Sequence, residues 1–155
     1  MSNLAATSGH GARLDTRRIH DASVYLVPVA RALFAAIFIF AAPAHFAPRT
    51  IAYAASQGVP LAPIAVPLAG VITLLGGLSV LLGYHAKLGG WLLVLFLVPV
   101  TLMMHRFCAV PDPATAQIQQ VMFMKNVSML GGALLVTYFG AGPLSLDARR
   151  GGVSG

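Results

Sequence analysis

The chain contains no glutamate, and its only carboxylates are four aspartates. Only 9% of its 155 residues are charged, against about a quarter in a soluble domain. So few charges cannot cover a water-facing surface. Hydrophobic residues make up 57% of the chain, and the mean hydropathy is +0.81. The bilayer is the solvent this composition requires. The single cysteine, Cys108, excludes an internal disulfide and an all-cysteine metal site. There is no GxSxG, Walker loop, HExxH or paired carboxylate, and every aspartate lies outside the apolar runs. Acid–base chemistry would fall to histidine or to a partner. The net charge of +6 would suit nucleic acid in a polar protein. Here the cations flank apolar runs, which fits anionic lipid head groups and topology signals instead.

What the sequence does contain is four apolar runs, at about 24–42, 61–83, 88–105 and 121–139. They predict an all-α, integral membrane four-helix transmembrane bundle. The polar residues 1–23, with Arg13, Arg17 and Arg18, read as a disordered basic tail, and 148–155 as a flexible one. The first run would span about 28 Å as a helix, and Pro43 and Pro48 end it. Ala42-Pro43-Ala44 resembles a signal-peptidase site. The run nevertheless exceeds the roughly 7–15 residues of a signal peptide and holds Arg31, so it is read as a retained span. Residues 43–60 read as a polar connection closed by a Gln57-Gly58-Val59-Pro60 turn. Pro67 and Pro99 fall inside the second and third runs, and Pro67 should kink its helix. Gly76-Gly77 invites a close helix neighbour.

With four spans, six loop and tail cations (Arg13, Arg17, Arg18, Lys87, Arg149 and Arg150) share one side, against Arg49 and Arg106 on the other. The positive-inside rule then puts both termini in the cytoplasm. Tyr25, Tyr84, Trp91 and Tyr138 fall near that same interface. The second and fourth runs echo each other in TLLGG and SMLGG. His45-Phe46 and His105-Arg106-Phe107 follow the first and third, as a repeat of helix pairs would place them.

Two cations, Arg31 and Lys125, remain within the spans. Either can snorkel to head groups, or face inward and hold an anionic or quinone-like group. Arg31, Phe34, Ala35, Phe38, Ala42 and His45 share one helical stripe. Lys125 and Asn126 are placed with His105 and His45 at the outer mouth, a basic cluster suited to an anion or a carbonyl oxygen. In that reading Arg31, Lys125 and Asn126 bind, and His45 and His105 are the candidate proton-transfer groups. Met103, Met104, His105, Cys108, Met122 and Met124 offer soft ligands for copper(I), and His45 and His105 could ligate haem. Both are weaker readings than ordinary packing, and no metal is assigned. Asp147, after Gly140-Ala141-Gly142-Pro143, is read as a helix cap or a surface partner of Arg149 or Arg150. The other option is an ion pair with Arg31 or Lys87.

The order of these pieces resembles the DoxX family of small four-helix membrane proteins. The pieces are Arg31, Gly58-Val59-Pro60, Leu74-Leu75-Gly76-Gly77 and Met104-His105-Arg106-Phe107. Phe123-Met124-Lys125-Asn126 and the closing Gly140-Ala141-Gly142-Pro143-Leu144-Ser145-Leu146-Asp147 complete the set. The resemblance covers residues 24–147. It implies a redox-associated subunit of the bacterial plasma (inner) membrane, in quinone-linked sulfur or thiol oxidation or oxidative-stress defence. Its cofactor would be a quinone, and its partner a soluble oxidoreductase or sulfurtransferase. Where the resemblance places a glutamate in span two, this chain has Thr73, so Arg31 must find another acceptor. A non-catalytic scaffold or assembly partner, a homo-oligomer and a small-solute permease remain open beside it.

Overall fold

The computed structural model describes residues 24–151. The expected tail at 1–23 and residues 152–155 lie outside the described residues. Every regular element is helical. Helix α1 (Leu26–Ala41) ends where Pro43 removes a backbone donor, and the chain tightens into a 3-10 turn, Ala42–Phe46. Pro48 opens α2 (Pro48–Ser56), a helix where the sequence pattern predicts a polar connection. Proline suits a first turn because its missing N–H would lack a partner there anyway. Helix α3 (Ala62–Leu82) stops at Gly83, whose φ of +62° lets Tyr84 N–H turn back to Ser79 O at 3.0 Å. Glycine accepts that left-handed conformation without a steric penalty. Helix α4 spans Ala86–Met104, and a second 3-10 turn covers Phe107–Ala109.

Helix α5 (Pro113–Phe139) starts eight residues before the expected span. Asp112 caps it, accepting from Thr115 N at 2.8 Å and Thr115 Oγ1 at 2.6 Å, and Pro113 holds the first turn. At 27 residues it is about 40 Å long, more than a hydrocarbon core of about 30 Å requires. The surplus is the glutamine-bearing stretch at its start. Residues expected to begin the flexible tail instead form α6 (Leu146–Gly151).

Helices α1, α3, α4 and α5 are long and apolar enough to span a membrane. The chain therefore crosses four times, and both described termini lie at one end, here called proximal. Helix α1 packs on α3, α3 on α4, and α4 on α5. The Phe34 ring reaches across from α1 to Gly132 on α5 and closes the circle. The core is narrow: Ala35, Phe38, Val80, Leu93, Leu97 and Ala133. Leu33, Phe40, Leu88, Trp91, Tyr138 and Phe139 face outward. Small residues inside and large ones outside is the pattern expected in lipid, where apolar burial drives no association and close packing must.

The glycine doublets set the helix spacing. A Cβ on Gly76 would stand 3.1 Å from Gly89 O, and one on Gly89 would stand 3.1 Å from Gly76 O. The second glycine of each pair turns to another neighbour. Gly77 faces Phe38 and Ala35 of α1, and Gly90 faces Ala133 and Thr137 of α5. In the third doublet Gly132 takes Phe34, but a Cβ on Gly131 would meet nothing within 4 Å. The first two doublets are thus used within one chain, not held for an oligomer.

Gly90→Ala should therefore lower stability by about 1–3 kcal/mol, because its Cβ meets fixed backbone. Gly131→Ala should raise it by about 0.5–1 kcal/mol, through the lower cost of ordering alanine in a helix. Thermal unfolding in detergent micelles measures both, and shifts of the same sign would contradict the packing.

Candidate functional site

Pro67 in α3 and Pro99 in α4 each remove a backbone hydrogen bond from the distal half of their helix. These two helices touch through Gly76 and Gly89 nearer the proximal end. Between their distal halves lies an apolar groove of about 330 Å³, within the size range of small-molecule sites. Its walls include Ala65, Ala69 and Ile72 from α3, and Leu95, Phe96 and Met103 from α4. The 3-10 turn after α1 supplies His45, and α2 supplies Thr50 and Ala54. A Cβ on Gly70 would stand 2.7 Å from His45 Cβ, so the histidine sits directly on α3. His45 Nδ1 lies 3.2 Å from Ala41 O, and its ring meets Phe96 edge-on with centroids 5.5 Å apart. Among the described residues, His45 is the one titratable side chain in the groove. His45 and both prolines stand out in the sequence, with a kink expected at Pro67 alone. That the two prolines lie on adjacent helices beside a shared space emerges only in the fold.

The expected outer-mouth cluster resolves into separate environments. His105 Nδ1 pairs with Gln119 Oε1 at 2.8 Å, and Arg106 Nη2 donates to Gln57 O at 2.9 Å. His105 ends the helical conformation of α4, with φ of −123°, so Met104 and Cys108 do not share a continuous helix. Met104 packs instead against Ala54, Ala62 and Val66. Lys125 lies six residues beyond Gln119, about 9 Å deeper along α5. It is exposed on the outer surface, and its ammonium rests 3.4 Å from Met122 Sδ, one turn towards the distal end. That is the geometry of a snorkelling lysine. Asn126 turns the other way and is buried. Among the described residues no hydrogen bond joins any two of His45, His105, Lys125 and Asn126.

Arg31 belongs to the proximal end. It is only 6% exposed, and Nη2 donates to Leu144 O at 2.8 Å. Its Nε and Nη1 are buried without a partner among the described residues. The guanidinium lies over Gly83, where a Cβ would overlap it. Arg31 and His45 thus both pack on α3, at opposite ends, as their shared stripe predicts. Thr73 is fully buried and bonds Ala69 O at 2.7 Å. It sits ten residues before Gly83, about 15 Å from the guanidinium's level. The long arginine side chain reaches to the end of α3, so Thr73 is not at the guanidinium's depth.

The Gly-Ala-Gly-Pro-Leu-Ser-Leu-Asp segment folds back as a latch. Asp147 Oδ1 accepts from His85 N at 2.8 Å and Oδ2 from Ala86 N at 3.0 Å, capping α4 from a distant part of the chain. Asp147 N donates to Gly83 O at 2.8 Å. Buried Ser145 caps α6, its hydroxyl accepting from Ala148 N at 3.0 Å, and Arg150 lies over the Tyr84 ring at 4.5 Å. Of the readings for Asp147, the cap holds. No ion pair within 4 Å joins it to Arg31 or Lys87. Partial burial of Asp147 opposes ionisation. The Ala86 and His85 N–H groups and the nearby charges of His85 and Arg150 outweigh that, and hold the carboxyl below its ordinary pKa.

Asp147→Ala should cost about 0.5–2 kcal/mol near neutral pH, the worth of a helix cap. Because the folded carboxyl's pKa is depressed, its contribution is complete above the unfolded value of about 3.9. It is lost as pH falls through the lower folded value. Unfolding of wild type and variant should therefore converge below about pH 4. A gap that persists undiminished at pH 2.5 would contradict this role.

The SURF4 family model matches residues 64–151, more than half of the chain. It takes in α3 to α6, the α3 and α4 walls of the groove, and the latch from Gly83 to Asp147. Arg31 and His45 precede it. No curated protein and no solved structure matches the chain significantly. The DoxX resemblance is corrected by this match, which claims the Lys-Asn and Gly-Ala-Gly-Pro-Leu-Ser-Leu-Asp pieces on which that resemblance chiefly rested. The Leu-Gly doublets were a poor guide, since any closely packed membrane helices use them. The chain is a multi-pass helical membrane protein, and it belongs to the SURF4 family.

Proposed function

We propose that this protein is a membrane-embedded binding protein for a lipid-soluble small molecule, held in the groove between the distal halves of α3 and α4. The observation that carries this reading is the groove itself. Its walls are almost wholly apolar, two proline-bearing helices form its sides, and one histidine and one threonine supply polarity. A few polar groups on an apolar concave surface are the usual form of a ligand site. A single titratable side chain gives no acid–base pair, which favours binding over turnover. The redox role expected from the DoxX resemblance falls with it, and a prenyl quinone becomes one member of a wider class of apolar ligands.

An alkyl diazirine amphiphile, photolysed in membranes holding the protein, should label Leu95, Val100 or Met103. Ala69→Phe fills the groove and should cut that labelling about tenfold while leaving label on the lipid-facing side of α1. Labelling spread evenly over the outer surface in both proteins would sink the groove and leave an assembly role without a ligand.

We also propose that the proximal end faces the cytoplasm. Lys87, Arg149 and Arg150 lie there beside the exposed Tyr25, Tyr84 and Tyr138, against Arg49 and Arg106 at the other end. A C-terminal reporter active only inside the cell should read positive. A reporter active only outside the cell reading positive would reverse the orientation.

A further inference from the structure

We infer that the groove selects amphiphiles that bear a hydroxyl group, and that His45 Nε2 reads that hydroxyl. This rests on the groove being a ligand site, and it adds the chemical class. The carbonyl of Ala41 can only accept a hydrogen bond, so the contact at 3.2 Å requires the proton on His45 Nδ1. With Nδ1 so occupied, the neutral ring presents Nε2 as a lone-pair acceptor. No hydrogen bond reaches Nε2 among the described residues. The Ala41 contact and the edge of the Phe96 ring fix the imidazole's position. The groove around it is lined by Ala69, Leu95, Phe96 and Val100, none of which offers a side-chain donor.

A fixed acceptor in an apolar groove rewards a ligand that brings a donor. It leaves unpaired any ligand that brings only acceptors, and an unpaired buried polar group is costly. The ligand that fits is an alkyl or isoprenoid chain ending in an O–H: a long-chain alcohol, a monoacylglycerol or a hydroquinone. A quinone, ester or ether presents acceptors alone and gains nothing from Nε2. Thr50 also lines the groove, but a hydroxyl donates or accepts equally and does not discriminate. The histidine carries the selectivity. The chain of the ligand lies along the α3 and α4 walls, whose outer rim is formed by exposed Leu68 and Leu95.

The test compares dodecanol with dodecyl methyl ether, which matches it closely but has no donor. The protein is held in lipid nanodiscs at pH 8 with methyl-labelled methionine. Met103 and Met104 line the groove, while Met122 and Met124 on α5 do not and serve as controls. Dodecanol should shift the Met103 and Met104 methyl signals saturably, with an apparent affinity about fivefold above that of the ether, the worth of one net hydrogen bond. His45→Phe keeps a ring against Phe96 and should bring the two ligands within about twofold of each other. Equal affinities in the wild type would overturn the hydroxyl selectivity while leaving the groove. Selectivity that survives His45→Phe would remove the role of His45. Shifts absent from Met103 and Met104 for both ligands would overturn the groove as well.

Discussion

Backbone against backbone at Gly76 and Gly89 is the contact on which the rest of the structure depends. In a bilayer, apolar side chains gain nothing by leaving lipid for protein, so helices associate only where they fit closely. The double glycines provide that fit in two directions at once, since adjacent residues on a helix point about 100° apart. Gly76 sets the α3–α4 spacing, and Gly77 sets α3 against α1. Gly89 and Gly90 do the same for α4 against α3 and α5. Two doublets thus arrange four helices with a core of few large residues. The proximal contact also creates the distal groove. Helices pinned at one point and interrupted by proline farther along leave space between them.

The charges divide according to the acceptors within reach. Arg31 cannot be matched by a carboxylate from another span, because no aspartate lies in one and the chain has no glutamate. Its long side chain instead carries the guanidinium to the end of α3, where the returning C-terminal segment offers Leu144 O. Asp147 makes no ion pair with Arg31 and is committed to capping α4. One segment therefore meets two needs at the proximal end: an acceptor for a buried cation and a cap for the start of α4. Lys125 has the simpler solution, extending towards the distal head groups along its own helix.

Much of this was legible in the sequence, for identifiable reasons. Four runs of apolar residues with prolines and glycines at their ends fix four spans, and the stripe from Arg31 to His45 fixes the inner face of α1. Helix α2 is hard to read from sequence because its nine residues are too few and too mixed to form an apolar run, although Pro48 marks a first turn. The start of α5 lies outside its apolar run, so hydropathy does not mark it, whereas the cap signal Asp112-Pro113-Ala114-Thr115 does. The candidate site was less legible. Sequence places His45, His105 and Lys125 near one end, but it cannot say which way each side chain turns. In the fold, His105 is engaged by Gln119, Lys125 faces lipid, and only His45 lines a space.

The two halves of the chain suggest why the groove lies where it does. In each half a membrane helix ends in a 3-10 turn carrying phenylalanine, and a helix begins at proline soon after: α2 at Pro48 and α5 at Pro113. In the second half that helix runs on uninterrupted across the membrane, so its first turns stand beyond the end of α4. In the first half the chain breaks at Gly58, whose φ of +84° redirects it into a separate α3. The break leaves α2 as a short helix free of the span that follows, with Thr50 and Ala54 against the groove. A continuous helix there would carry residues 50–54 in line with α3, beyond its distal end. The groove would then lose the floor that Thr50 and Ala54 form.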